Sequence, residues 1–173
     1  GIMILCQDPK TIGKDQDFPV SIEVQLLGGN GKEERHTGNV CTPGTNIVYS
    51  NQLWTQHCTD STSPTFHGDV WVKAEVEVEQ IKASVRPGSF SRKEFILRQL
   101  PGEPNGTYIH IVHRINGEKV LEYDAPQLDP NDADAKPLIA AAKGELMLKR
   151  GWISLQSESH PCEFRKIEIK ELK

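Results

Sequence analysis

No apolar run in this 173-residue chain approaches the roughly 20 residues a helix needs to span a membrane. No block of Lys and Arg interleaves with aromatics and the formal net charge is -4, so nucleic acid is not an expected partner. None of the four cysteines forms a Cys-x-x-Cys pair, which argues against a structural zinc site. The nucleophile elbow, the P-loop, the dinucleotide fingerprint and HExxH are absent, and with them the enzyme classes most easily read from a motif. There is no internal repeat and no low-complexity tract. The opening "GIMILC" has neither a basic stretch nor a small-residue cleavage site, so it reads as a strand already under way rather than a signal peptide.

What is present is ordinary for a globular protein: 36% hydrophobic and 25% charged residues, in a length that suits one domain with a real core. Strand signals dominate. "IMILC", "FPVSIEVQLL", "DVWVKAEVEVE", "KEFILRQL", "TYIHIVHRI", "KVLEY", "WISLQSE" and "FRKIEIKEL" are short and rich in β-branched or aromatic residues. Gly and Pro punctuate them, and "RINGEKV" predicts a hairpin on a type I′ Asn-Gly turn. The sequence predicts one short helix, Ala135 to Gly144. Many strands without alternating long helices point to an all-β sandwich or barrel. In "VWVKAEVEVE" the valines claim one face and the charges the other, and "KIEIKEL" is expected to turn Ile167 and Ile169 inward.

Cys41 and Cys58 bracket a segment rich in Thr, Pro, Gly, Asn and Ser, read as irregular. A disulfide there would be worth about 3 kcal/mol and would imply an oxidising compartment; two buried free thiols are the alternative. Cys6 and Cys162 could meet only if the terminal strands are neighbours. The acidic "DPNDADA" has oxygens for calcium but lacks EF-hand spacing, which favours a solvated loop.

With no motif to follow, polar residues on strands carry the chemical signal. In "SIEVQLL", Ile22, Val24 and Leu26 point one way and Ser21, Glu23 and Gln25 the other. In "WISLQSESHP", Trp152, Ser154, Gln156 and Glu158 share a face, followed by His160. In "YIHIVHRING", Tyr108, His110 and Arg114 share a face, while His113 falls in phase with the isoleucines. If these strands are neighbours in one sheet, their polar faces form a groove. Carboxylate, amide, imidazole and indole groups together suit a carbohydrate. A solvated outer face explains Glu23 as well, and a core histidine explains His113. His36 and His57 are expected to be surface residues, and His67 to cap a loop.

The segments "GIMILCQDP", "DFPVSIEVQLLGG", "TGNVCTPGTNIV", "HGDVWVKAEVEV", "INGEKVLEYDAPQLD" and "GWISLQSESHPCEFRKIEI", in this order, closely resemble the 3-keto-disaccharide hydrolase domain family. The resemblance covers most of the chain. It implies a concanavalin A-like jelly-roll β-sandwich of two antiparallel sheets, in a periplasmic or secreted bacterial protein acting on 3-keto-glycosides. Family members usually have strands ahead of the "GIM" motif, so a missing edge is expected within a single domain spanning residues 1–173. Residues 80–104 are expected to be an insertion.

The implied chemistry follows from the ketone. It acidifies the C2 proton; a base removes it, and the glycosidic oxygen on C1 leaves by elimination, with water adding back for net hydrolysis. That requires a base, an acid and something to stabilise the enolate, a task that suits a divalent cation. Glu23 and His113 are the candidates for proton transfer. Glu158 and His160 are candidates for proton transfer or metal binding. Gln25, Gln156 and Trp152 are candidates for recognising sugar hydroxyls and a ring face. The rival readings are a non-catalytic carbohydrate-binding module on the same scaffold and a structural domain of a larger secreted chain.

Overall fold

A computed structural model describes residues 1–82, 107–158 and 161–172. Two five-stranded antiparallel sheets pack face to face as a β-sandwich. The strands are β1 (Ile2–Cys6), β2 (Ile22–Gln25), β3 (Asn39–Cys41), β4 (Thr45–Tyr49), β5 (Gln52–Trp54), β6 (Cys58–Thr59), β7 (Ala74–Lys82), β8 (Thr107–Ile115), β9 (Glu118–Leu128) and β10 (Trp152–Leu155). Sheet I runs β10-β1-β2-β3-β6 and sheet II runs β5-β4-β9-β8-β7. The predicted helix is α1, Ala135–Ala141, three residues shorter at its end than expected.

Strand parity builds the core. Ile4, Ile22 and Val40 of sheet I meet Ile47, Ile109, Ile111, Leu121 and Tyr123 of sheet II. The Asn-Gly hairpin forms as expected: Asn116 (φ 52°) and Gly117 (φ 89°) join β8 to β9 in the left-handed conformation that a type I′ turn requires. In β1, Leu5 adopts φ 52° and the register to β10 shifts between Met3 and Cys6. This bulge turns both Ile4 and Leu5 into the core and swings Cys6 to the outer face. Gly151 packs on the Leu5 backbone there, and a Cβ would strike it.

Four expectations change. The segment between Cys41 and Cys58 is not irregular. It contains β4, whose Ile47 and Val48 are buried centrally in the sandwich, and β5. Ile167 and Ile169 are not inward but 65% and 80% exposed, and among the described residues no strand pairs with that segment. Val70 is also exposed, since β7 begins only at Ala74. Gln80–Lys82 belongs to β7 and pairs with Thr107–Ile109 of β8; the rest of the expected insertion, like "KEFILRQL", lies outside the described residues.

Candidate active site

β2 carries Glu23 on the face of sheet I that points away from the core. Its in-register neighbours are Met3 on β1 and Cys41 on β3, and Ser154 on β10 continues the row beyond Met3. The first two polar sets of the sequence therefore do share one face, on β2 and β10 with β1 between them. The third set does not join them. Tyr108, His110 and Arg114 lie in sheet II, where His110 Nδ1 is 2.8 Å from Asp124 and Arg114 Nε donates to Glu77 at 2.6 Å.

Glu23 is only 8% exposed although it faces outward. Its carboxylate packs against Gly1. Burial raises its pKa above the usual 4.5; the Glu158 charge adds to the rise, and His57 opposes it. Gly1 itself extends the β1–β10 ladder: its backbone nitrogen donates to the Gln156 carbonyl at 2.7 Å, and the Gln156 N–H donates to the Gly1 carbonyl at 2.9 Å.

Alongside lies an open cleft of about 800 Å³, lined by Asp17, Phe18, Ser154, Gln156 and Glu158 among others. Gln156 Oε1 is buried and has no hydrogen-bond partner, the one such side-chain atom among the described residues. A buried acceptor without a donor carries a desolvation penalty that a ligand hydroxyl would relieve. Asp17 and Phe18 also line a second hollow of about 250 Å³, together with Asp15, His57, Asp132 and Asp134. Glu23 thus lies within electrostatic reach of Glu158 in one compartment and of His57 in the other.

Of the residues chosen from sequence, Gln156 and Glu158 line the cleft, whereas Glu23 lines neither hollow and feels Glu158 through its charge. Gln25 sits beside Glu23 on the same face, but its Oε1 accepts from Asn39 Nδ2 at 3.2 Å. Trp152 pairs with Cys6 and is 55% exposed on edge strand β10, beyond the residues that line the cleft. His160 lies outside the described residues.

His113 is placed elsewhere. It is fully buried between the sheets, with Nδ1 2.8 Å from the Gly38 carbonyl and Nε2 2.9 Å from the Tyr123 hydroxyl. A carbonyl can only accept, so Nδ1 carries the proton and Nε2 accepts from Tyr123. Burial lowers its pKa to about 4, which makes it a neutral core histidine and not a cleft residue. Its phase with Ile109, Ile111 and Ile115 already allowed that reading.

Sequence reasoning missed His57, Asp17 and Phe18. The signals were faint: "DQDFPV" places an aromatic and two carboxylates just ahead of β2, and His57 directly precedes a cysteine. That cysteine does form the anticipated bond. Cys41 and Cys58 are disulfide-linked with Cα atoms 4.1 Å apart, well inside the geometric limit. Cys6 and Cys162 are both free, the first buried and the second exposed. Among the described residues, no three His, Cys, Asp or Glu side chains converge to hold a metal ion.

No helix among the described residues is long and apolar enough to cross a membrane. Comparison with curated proteins and with solved structures gives no match. The model of one domain family does match, over residues 1–170 of the chain. That family is described as the 3-keto-alpha-glucoside-1,2-lyase-like domain, which fits a carbohydrate-active role for a face bearing carboxylates and amides. On a match over nearly its whole length, the chain belongs to the 3-keto-alpha-glucoside-1,2-lyase-like domain family.

Proposed function

We propose that this protein cleaves 3-keto-glycosides by removing the C2 proton and expelling the C1 oxygen, with water adding to the product where hydrolysis is the outcome. The observation that carries the reading is Glu23: a buried carboxylate, its pKa raised first by burial and also by the charge of Glu158, which lines an open cleft. A carboxylate so placed is a stronger base than one in water, which suits abstraction of a proton acidified by a neighbouring ketone. Glu158 lines the cleft as a second proton-transfer group. The unpartnered Gln156 Oε1 takes a sugar hydroxyl. Phe18 offers an apolar surface for a ring face.

The disulfide supports placing the protein in an oxidising compartment, periplasmic or secreted. Its partner on this reading is a 3-keto-disaccharide or glycoside. A binding module without chemistry is the second reading, favoured by Trp152, whose exposed indole is suited to stacking on a sugar outside the cleft.

The deciding experiment incubates the protein with a disaccharide and its 3-keto form, and follows product release in buffer, with added divalent metal and with chelator. Turnover of the keto form alone is expected. Binding of either sugar with no turnover under any condition refutes the enzyme and leaves the module.

A further inference from the structure

Glu23 lines neither hollow, yet a base must reach the proton it removes. A missing side chain supplies the reach. We propose that Gly1 is a positioning residue for the reaction: its bare Cα is the notch through which the Glu23 carboxylate crosses β1 toward Gln156. The inference rests on the reading above, in which Glu23 is the base.

The strand register sets Gly1 at that crossing. Ile2 faces Val24 and Met3 faces Glu23 across β1 and β2. Gly1, two residues before Met3, therefore shares its outer face and stands diagonal to Glu23. On its other side Gly1 is bonded in both directions to the backbone of Gln156, at 2.7 and 2.9 Å. Residues that exchange two such bonds have Cα atoms about 5.5 Å apart. Gly1 thus lies between Glu23 on β2 and Gln156 at the wall of the cleft. Its neighbour on the same face, Met3, is buried and fills the surface over β1 with its own side chain.

The contact with Glu23 is close. A Cβ on Gly1 would overlap Glu23 Oε1 and come within 3.0 Å of Cγ and Cδ. Any residue larger than glycine must therefore move the carboxylate. The Gly1 backbone is pinned by its two bonds to Gln156, whereas a glutamate side chain can turn to another staggered rotamer. Gly151 is the contrast. A Cβ there would strike the Leu5 backbone, which has no such freedom. A methyl at Gly151 acts on stability; a methyl at Gly1 acts on where the base sits.

Displacement has two consequences. An error of about 1 Å in the position of a reacting group can cost on the order of 100-fold in rate. Burial is also the first cause of the raised Glu23 pKa, so a carboxylate pushed outward regains water and falls toward 4.5. Both effects fall on the base. Neither touches the wall of Gln156 and Glu158, so kcat is lost while KM holds.

The test is Gly1→Ala, assayed on a 3-keto-disaccharide beside Glu23→Gln and the double variant. Gly1→Ala should lose on the order of 10- to 100-fold in kcat, with KM within about threefold and Tm within about 2 °C of wild type. In the Glu23→Gln background the same substitution should cost less than about twofold, because it acts through Glu23. Without substrate, the Glu23 carboxyl followed by NMR should titrate closer to 4.5 in Gly1→Ala than in the wild type. Full kcat in Gly1→Ala, an equal loss in both backgrounds, or an unmoved Glu23 titration overturns Gly1 as a positioning residue and leaves the enzyme reading in place. A fall in Tm as large as that of Gly151→Ala overturns it too, by showing that the strand yields rather than Glu23. A wild type that turns over no 3-keto sugar overturns the enzyme reading and Gly1's part with it.

Discussion

His113 makes this protein acid-sensitive in a way that can be measured without a substrate. Its pKa falls from 6.5 in the unfolded chain to about 4 in the core, because burial penalises the imidazolium and only the Gly38 carbonyl favours it. Between those values the unfolded chain binds a proton that the native state does not. Stability therefore rises with pH through this window, is complete above 6.5, and is lost as pH falls toward 4. Two and a half pH units at about 1.36 kcal/mol each give about 3 kcal/mol. The perturbation is His113→Gln, whose amide can donate to Gly38 and accept from Tyr123 but cannot titrate. At pH 7 the variant should be less stable by about 1 to 3 kcal/mol, the cost of an imperfectly remade buried network. On moving to pH 4, the wild type should lose about 3 kcal/mol more than the variant. Urea unfolding at both pH values, at constant ionic strength, reads the difference directly. Equal losses in the two proteins would show that His113 is protonated or solvated in the native state, and would refute the buried neutral histidine.

The remaining predictions are spread across the sandwich. Cys41 and Cys58 are 17 residues apart, so opening the bond should cost about 3 kcal/mol and lower Tm by about 6 to 12 °C; calorimetry with and without reductant checks it, and an unchanged Tm would falsify the staple. Glu23→Gln should reduce turnover of a 3-keto substrate by on the order of 100- to 10,000-fold. Its effect on stability should have the opposite pH sense to that of His113. The native Glu23 pKa is raised, so its contribution falls as pH climbs from 4.5 upward, and the variant should lack that fall in unfolding curves. Gly151→Ala should cost about 1 to 3 kcal/mol by driving a methyl into the Leu5 backbone and parting β10 from β1; a variant as stable as wild type would show that the bulge yields freely.

The sequence alone determined what depends on local pattern. Alternation marked β1, β2, β8 and β10, and Asn116-Gly117 set the β8–β9 turn, because parity and left-handed backbone are properties of a few adjacent residues. Parity also put Glu23 opposite Ile22 and Val24, and Gln156 in phase with Ser154. What it could not decide was which strands become neighbours. The polar faces of β2 and β10 meet only because β1 lies between them, and that of β8 is excluded because it belongs to the other sheet. Sequence left His113 open between site and core, and the packing of Gly38 and Tyr123 around both ring nitrogens decided it. β4 was passed over among its Thr, Pro and Asn neighbours although Thr45, Ile47, Val48 and Tyr49 all favour strands, and its pairing with β9 is what makes it central. Only the tertiary fold sets His57 at a hollow with Asp17 and Phe18, residues about 40 positions earlier in the chain.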